Sequence, residues 1–173
     1  MKSGSANIYF VYQDKDITKV RKTYFRKPKE KLDREVNALT KLEHNDHFPK
    51  IVSIMPDIFS FYMTYCGPRL TQDNLPVDWR EQVETILLSM EKQNIVNGDI
   101  DIKNLTVLDG KIYLLDFGNI RLKGEDFFKK HDYETYKLKQ HHKLFLICDA
   151  FDNNQPVEQI LKNYNNKVSH YFK

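Results

Sequence analysis

The period of apolar positions changes five times along the chain. Residues 8–12 are rich in β-branched and aromatic side chains, and residues 17–24 alternate loosely. The polar run Gln13-Asp14-Lys15-Asp16 between them predicts a β-hairpin. Pro28 interrupts the chain and a helix follows, with Leu32, Val36, Leu39 and Leu42 at helical spacing. Residues 44–49 are polar and end that pattern. Residues 50–55 and 58–65 read as two more strands joined by a Pro56-Asp57 turn, and Cys66-Gly67-Pro68 stops the second sharply.

A second helical pattern follows. Asp78 with Glu81 three residues on has the form of a capping box, and Trp79, Val83, Ile86, Leu87 and Met90 share one stripe. Residues 97–104 read as a loop. Residues 105–108 and 111–115 read as short strands joined by Asp109-Gly110, a strong hairpin signal. The tail from Tyr133 reads as about two helices, 133–151 and 156–164. No internal repeat or low-complexity segment interrupts these patterns. The expected organisation is one domain with two lobes: 1–66, a turn-rich linker at 67–77, and 78–173.

Composition narrows the class. At 173 residues and 40% hydrophobic, the chain can bury a core. A net charge of +3 is too small to imply nucleic acid by itself. The two cysteines, Cys66 and Cys148, form no pattern, which points to a reducing compartment. The first residues lack the apolar run of a signal peptide, and no stretch approaches the roughly 18 apolar residues of a membrane span. The expectation is a cytoplasmic or nuclear protein, not secreted, with no membrane partner. The six histidines form no convincing metal site.

Chemistry concentrates between Asn97 and Gly118. The stretch runs Asn97-Gly98-Asp99-Ile100-Asp101-Ile102-Lys103-Asn104, then the hairpin, then Asp116-Phe117-Gly118. Phosphoryl transfer needs oxygen ligands for metal ions and a carboxylate to orient the attacking hydroxyl. Asp99, Asn104 and Asp116 are donors of those types, and a tight hairpin would bring Asp116 back beside the loop. As single motifs, Asp109-Gly110 and Asp116-Phe117-Gly118 would be ordinary turns. Their register with Asp99 and Asn104 is what carries the chemical reading.

This segment resembles the protein-kinase signature, a catalytic loop of the H-R-D-x-x-x-x-N type followed by D-F-G. The resemblance implies an α+β, bilobal protein-kinase-like fold: a small antiparallel β-sheet with one helix, then a truncated, mainly helical lobe. It implies ATP and Mg²⁺ as cofactors, with Asp99 as catalytic base and Asn104 and Asp116 as metal ligands. It further implies Glu35 as the helix glutamate that pairs with a strand lysine. Both Lys19 and Lys22 fit that lysine, since each has an apolar residue two positions before it on the same strand face. Lys19 is preferred because an apolar residue also follows it. Residues 61–67 resemble the hinge, with Met63 as gatekeeper and the backbone of Thr64 and Cys66 against the adenine edge.

The chain departs from the family pattern at several points. Gly4, Ser5 and Ala6 stand where a glycine-rich loop would lie, and only the first glycine is kept. Asn97 and Gly98 replace His and Arg. Asp101 stands where a lysine is usual, and Lys103 is expected to reach the same space. Arg21, Arg26, Lys27, Lys29, Lys31 and Arg34 read as a solvated face in preference to an anionic partner. In its economy the chain resembles small atypical kinases, such as that of the KEOPS complex, and compact kinase-like proteins of large DNA viruses. The resemblance implies a serine/threonine kinase with a protein acceptor, itself included; a further reading is that a partner protein completes the second lobe. The alternatives are a nucleotide-binding pseudokinase scaffold and a small-molecule kinase.

Overall fold

The structure, a computed structural model, describes residues 5–13 and 15–169, with backbone alone at 167–169. The expectation for Gly4 lies outside the described residues. The first lobe is a four-stranded antiparallel sheet and one helix. Its strands are β1 (Ala6–Gln13), β2 (Asp16–Tyr24), β3 (Ile51–Met55) and β4 (Ser60–Thr64), in the order β1-β2-β4-β3. Helix α1 (Pro28–Lys41) packs on β2 and β3. Pro28 opens this helix, as expected of a break followed by a helix: proline's missing N–H and fixed φ suit the first turn. Leu32, Ala38 and Leu39 face the core, and so does the carboxylate of Glu35, only 1% exposed.

The register of β2 decides what the sheet presents. Phe10 pairs with Val20, and Ile8 with Lys22; residues directly opposite share a face. Val20, Lys22 and Tyr24 therefore point one way and are all buried, while Lys19 and Arg21 point the other.

The second lobe is mainly helical. Helix α2 (Trp79–Lys92) buries Trp79, Val83, Ile86, Leu87 and Met90, the predicted stripe. Burial of each such side chain is worth about 1.5–3 kcal/mol. The predicted capping box at Asp78 does not form. Its carboxylate accepts no backbone N–H and instead takes the Gln82 side-chain amide at 2.8 Å. Gln82 in turn spans to the Gly110 carbonyl (2.9 Å) and the Ile112 N–H (2.8 Å), so this end of α2 is tied to a hairpin. That hairpin is β6 (Leu105–Leu108) with β7 (Lys111–Leu114). The predicted loop at 97–104 is partly ordered: β5 (Ile95–Asn97) pairs with β8 (Ile120–Leu122), and residues 102–104 form a 3-10 turn. Three-residue strands are too short to leave a period in the sequence. Helices α3 (Tyr133–Asp152) and α4 (Val157–Ser169) pack together and close this lobe. Among the described residues, no helix is long and apolar enough to cross a membrane.

Gly67, just after β4, has φ +86°, and a Cβ there would lie 2.0 Å from the Val107 carbonyl oxygen. The connection between the lobes runs this close to β6 only because the residue has no side chain.

Candidate active site

Four segments converge where the lobes meet. Strand β2 brings Lys22, helix α1 brings Glu35, the β5–β6 connection brings Asp99 and Asn104, and the residues after β7 bring Asp116. Lys22 Nζ lies 2.9 Å from Glu35 Oε2 and 2.9 Å from Asp116 Oδ1. Burial alone would lower the Lys22 pKa, but the Glu35 and Asp116 carboxylates outweigh it and the net direction is up. Burial likewise pushes the Asp116 carboxyl up, and Lys22 more than reverses it, so Asp116 is held below the usual carboxylate range. The Lys22 ammonium and the Asp116 carboxylate are thus ionised at neutral pH.

The preference for Lys19 over Lys22 is corrected as regards Glu35. Lys19 points away from Glu35 and stacks on the Tyr62 ring, 4.9 Å from its centroid. An apolar residue two positions earlier is met by both lysines. Which face of β2 meets α1 is decided by packing.

Glu35 does more than pair with Lys22. It accepts a hydrogen bond from Tyr24 Oη and another from the Phe117 N–H at 3.0 Å. Burial, and then the Glu35 charge, push the Tyr24 phenol up, so it stays a donor. Phe117 is fully buried against Phe48, with ring centroids 5.7 Å apart. Gly118 passes beneath Tyr24, where a Cβ would lie 2.5 Å from the hydroxyl oxygen.

Asp116 has φ +63°, a left-handed conformation uncommon for residues with a side chain. Two contacts hold it there. Its carbonyl accepts from Asn97 Nδ2 at 3.1 Å, and its Oδ1 accepts from the Gly118 N–H at 3.4 Å. Asn97 also accepts the Asp99 N–H on Oδ1 at 2.9 Å, so one side chain ties both acidic residues. The sequence marks Asn97 only as a substitution for histidine, and its bridging role is visible only in space. Tyr24 went unnoticed for the same reason.

Asn104 donates from Nδ2 to the Asp99 carbonyl at 2.8 Å, which leaves its Oδ1 as the outward acceptor. Asp99 is one-third exposed, and Lys103 Nζ lies 3.7 Å from its carboxylate. Asp101 accepts the Lys103 N–H at 3.3 Å and caps the 3-10 turn, so its carboxylate has a local structural use.

Two bases assigned to a solvated face are in fact tied down. Lys31 Nζ bridges Ser5 Oγ (3.0 Å) and Asn119 Oδ1 (3.1 Å), linking the start of the sheet to the segment after Gly118. Arg34 donates to the Ile120 carbonyl at 2.7 Å, fastening α1 to β8. Ala6 opens β1 opposite Tyr24. On the Lys22 face of the sheet, Ile8 and Phe10 stay about half exposed, and Phe10 meets the Tyr65 ring edge-on. Met63 is buried opposite Val20. The Thr64 N–H is already given to the Lys50 carbonyl at 2.9 Å, so Thr64 can offer a ligand only its carbonyl. Cys66 is buried, and burial pushes its thiol up to about 11.

No protein-family model matches the chain, and no curated protein matches it in sequence. Solved structures do match, 620 chains in all. Among them is the kinase PK-1 of Cydia pomonella granulovirus, with a TM-score of 0.56 at 15% identity. The match covers 83% of this chain and 63% of that one. The fold is protein-kinase-like. At this identity the likeness establishes architecture alone.

The donor set fits a hard divalent cation. Asp116 supplies a carboxylate and Asn104 a carboxamide oxygen, and Mg²⁺ is commonly held by one or two such groups together with substrate phosphates and water. Among the described residues no cluster of three or more His, Cys, Asp or Glu forms a self-sufficient metal cage. Any metal here would therefore need a ligand's oxygens as well.

Proposed function

We propose that this protein is an ATP- and Mg²⁺-dependent phosphotransferase, a minimal serine/threonine kinase that also phosphorylates itself. The observation that carries the reading is the buried Lys22–Glu35–Asp116 cluster beside Asp99 and Asn104. A lysine pinned by a helix carboxylate is an immobile cation, suited to the α- and β-phosphates. Asp116 and Asn104 would hold Mg²⁺, which neutralises phosphate charge when bound. Asp99, partly exposed, would orient an acceptor hydroxyl and take its proton. Lys103, beside Asp99, supplies positive charge that Asp101 cannot. The half-exposed Ile8 and Phe10 share a sheet face with Val20 and Met63, and with Tyr65 beside Phe10 they would offer an apolar surface to a flat base. The Thr64 carbonyl and the Cys66 backbone would lie along its edge. The granulovirus kinase that shares this fold supports the same class.

One observation favours a second reading, a nucleotide-binding scaffold without turnover. Asp101 places a carboxylate two residues from the proposed base, where negative charge opposes transfer.

The test is transfer from γ-labelled ATP with Mg²⁺, comparing wild type with Asp99→Ala on the protein itself and on a basic protein substrate. Label with wild type that vanishes with Asp99→Ala is expected. Mg-ATP binding without label from either would transfer the argument to the scaffold reading, or to a chain that needs a protein partner on its second lobe.

A further inference from the structure

Behind the loop that carries Asp99, helix α3 closes a cavity of about 180 Å³. Asn97 and Gly98 contribute one wall, and Lys139, Gln140, Lys143 and Tyr164 line the other side. Gln140 is only 3% exposed, and its orientation is set from one end. Its Oε1 accepts the Asn97 backbone N–H at 2.6 Å. A carboxamide fixed through its oxygen must turn its NH₂ elsewhere, and among the described residues this Nε2 has no hydrogen-bond partner. Buried amide donors are seldom left in that state.

Lys143 lies three residues further along α3, so the two side chains share a helix face. Lys143 is half-buried, and among the described residues no carboxylate lies within ion-pair distance of it. Burial pushes its ammonium down; Asp101 and Asp99 pull it up from farther off, and Lys103 opposes them. Lys139 adds a second ammonium, 4.6 Å from the Tyr136 ring centroid. A water molecule could satisfy the Gln140 amide but would bring no negative charge to Lys143. A group with several acceptor oxygens and negative charge satisfies both.

We propose that this cavity binds a small oxyanion of the phosphate class, held by Gln140 Nε2 and Lys143 Nζ. The site is separate from the nucleotide cleft: neither Lys22 nor Glu35 lines it. It is nevertheless one side chain from the acidic residues, because Gln140 holds Asn97, and Asn97 holds the Asp116 carbonyl and the Asp99 N–H. Occupancy therefore stiffens the segment that carries both carboxylates, and ligands at the two sites influence each other reciprocally.

The experiment is a titration of the full chain with inorganic phosphate, at constant ionic strength and without nucleotide. It follows the ¹H–¹⁵N resonances of the Gln140 side chain and the Asn97 backbone. Both are expected to shift saturably in wild type. In Lys143→Gln and Gln140→Glu, the Asn97 response is expected to need about tenfold more phosphate or to vanish. Gln140→Glu keeps an oxygen for the Asn97 N–H and replaces the donor by an acceptor, so it separates the ligand from the fold contact. An unsaturable drift in wild type overturns the site whatever the variants do, leaving a water-filled cavity. Saturation with equal affinity in both variants also overturns it, by putting the phosphate elsewhere.

Discussion

Lys22 and Asp116 are 94 residues apart in sequence and 2.9 Å apart in space. With Glu35 on the other side of the ammonium, the cluster contains one cation and two carboxylates, and one negative charge is left over inside the cleft. That surplus supports the proposed metal site, since a divalent cation at Asp116 would balance it.

Lys22→Met leaves Glu35 and Asp116 without their common partner. A buried pair broken on one side costs about 3–5 kcal/mol, and label transfer is expected to fall at least about a hundredfold. Lys19→Met removes only a stack on Tyr62, worth about 0.5–1 kcal/mol, and is expected to retain transfer within a few-fold. Denaturant unfolding and γ-phosphate transfer on both variants check this. Loss of transfer in Lys19→Met alone would return the role to Lys19.

The same contact sets a pH signature. The folded pKa of Asp116 is depressed, so its contribution to stability is present above its unfolded value near 3.8. That contribution is lost as pH falls through the lower folded value. The folded pKa of Lys22 is raised, so its contribution is full below 10.5 and is lost as pH rises through the higher folded value. The pair therefore stabilises the fold across the whole neutral range. In Lys22→Met the burial of Asp116 is opposed only by the Gly118 N–H and the Lys31 charge, both weaker than Lys22. Carboxyl ¹³C titration is expected to move its midpoint from below 3.8 to above it. An unmoved midpoint would mean that Lys22 is not the dominant influence.

Gly118 and Tyr24 are expected to couple. Gly118→Ala puts a methyl 2.5 Å from the Tyr24 hydroxyl and should cost about 1–3 kcal/mol by overpacking. Tyr24→Phe removes both that oxygen and a hydrogen bond to Glu35. In the double variant the penalties should be less than additive by about 1 kcal/mol, the size of coupling seen between touching residues. Strict additivity in denaturant melts would count against this contact.

Gly67→Ala meets two obstacles at once, a left-handed φ and backbone atoms of β6. Neither can be relieved by a side-chain rotation. A loss of at least about 3 kcal/mol is expected, above the ordinary range for point substitutions, read as a lower thermal midpoint. Gly110→Ala, with φ +72° but open space around it, should cost only the strain, about 1–2 kcal/mol. Similar losses at the two positions would refute the close approach of the linker to β6.

Much of this architecture was legible from local pattern. The alternation in residues 17–24, the helical spacing of Leu32 and Leu39, the apolar stripe from Trp79 to Met90 and the Asp109-Gly110 turn each belong to one contiguous segment. A segment's own period reveals its structure when one face is buried throughout. The motifs at Asp99, Asn104 and Asp116 were legible for a related reason, since a tight hairpin leaves few ways to arrange the residues on either side of it.

What the sequence by itself determined, then, was the order of strands and helices and the set of acidic residues that could gather. Only the tertiary structure decided which strand face, Lys19 or Lys22, met Glu35. Both faces of β2 carry apolar residues and a lysine, so a period of two cannot choose between them. It also decided that Asp78 would hold Gln82 instead of a helix end, and that Lys31 and Arg34 would fasten the lobes together. Asn97 and Gln140 came to hold the acidic segment in the same way. Apart from the Asp78–Gln82 bond itself, where the distant partners are those that hold Gln82 (Gly110 and Ile112), each of these depends on a partner many residues away, and the energy of such a contact is absent from any local window of the chain.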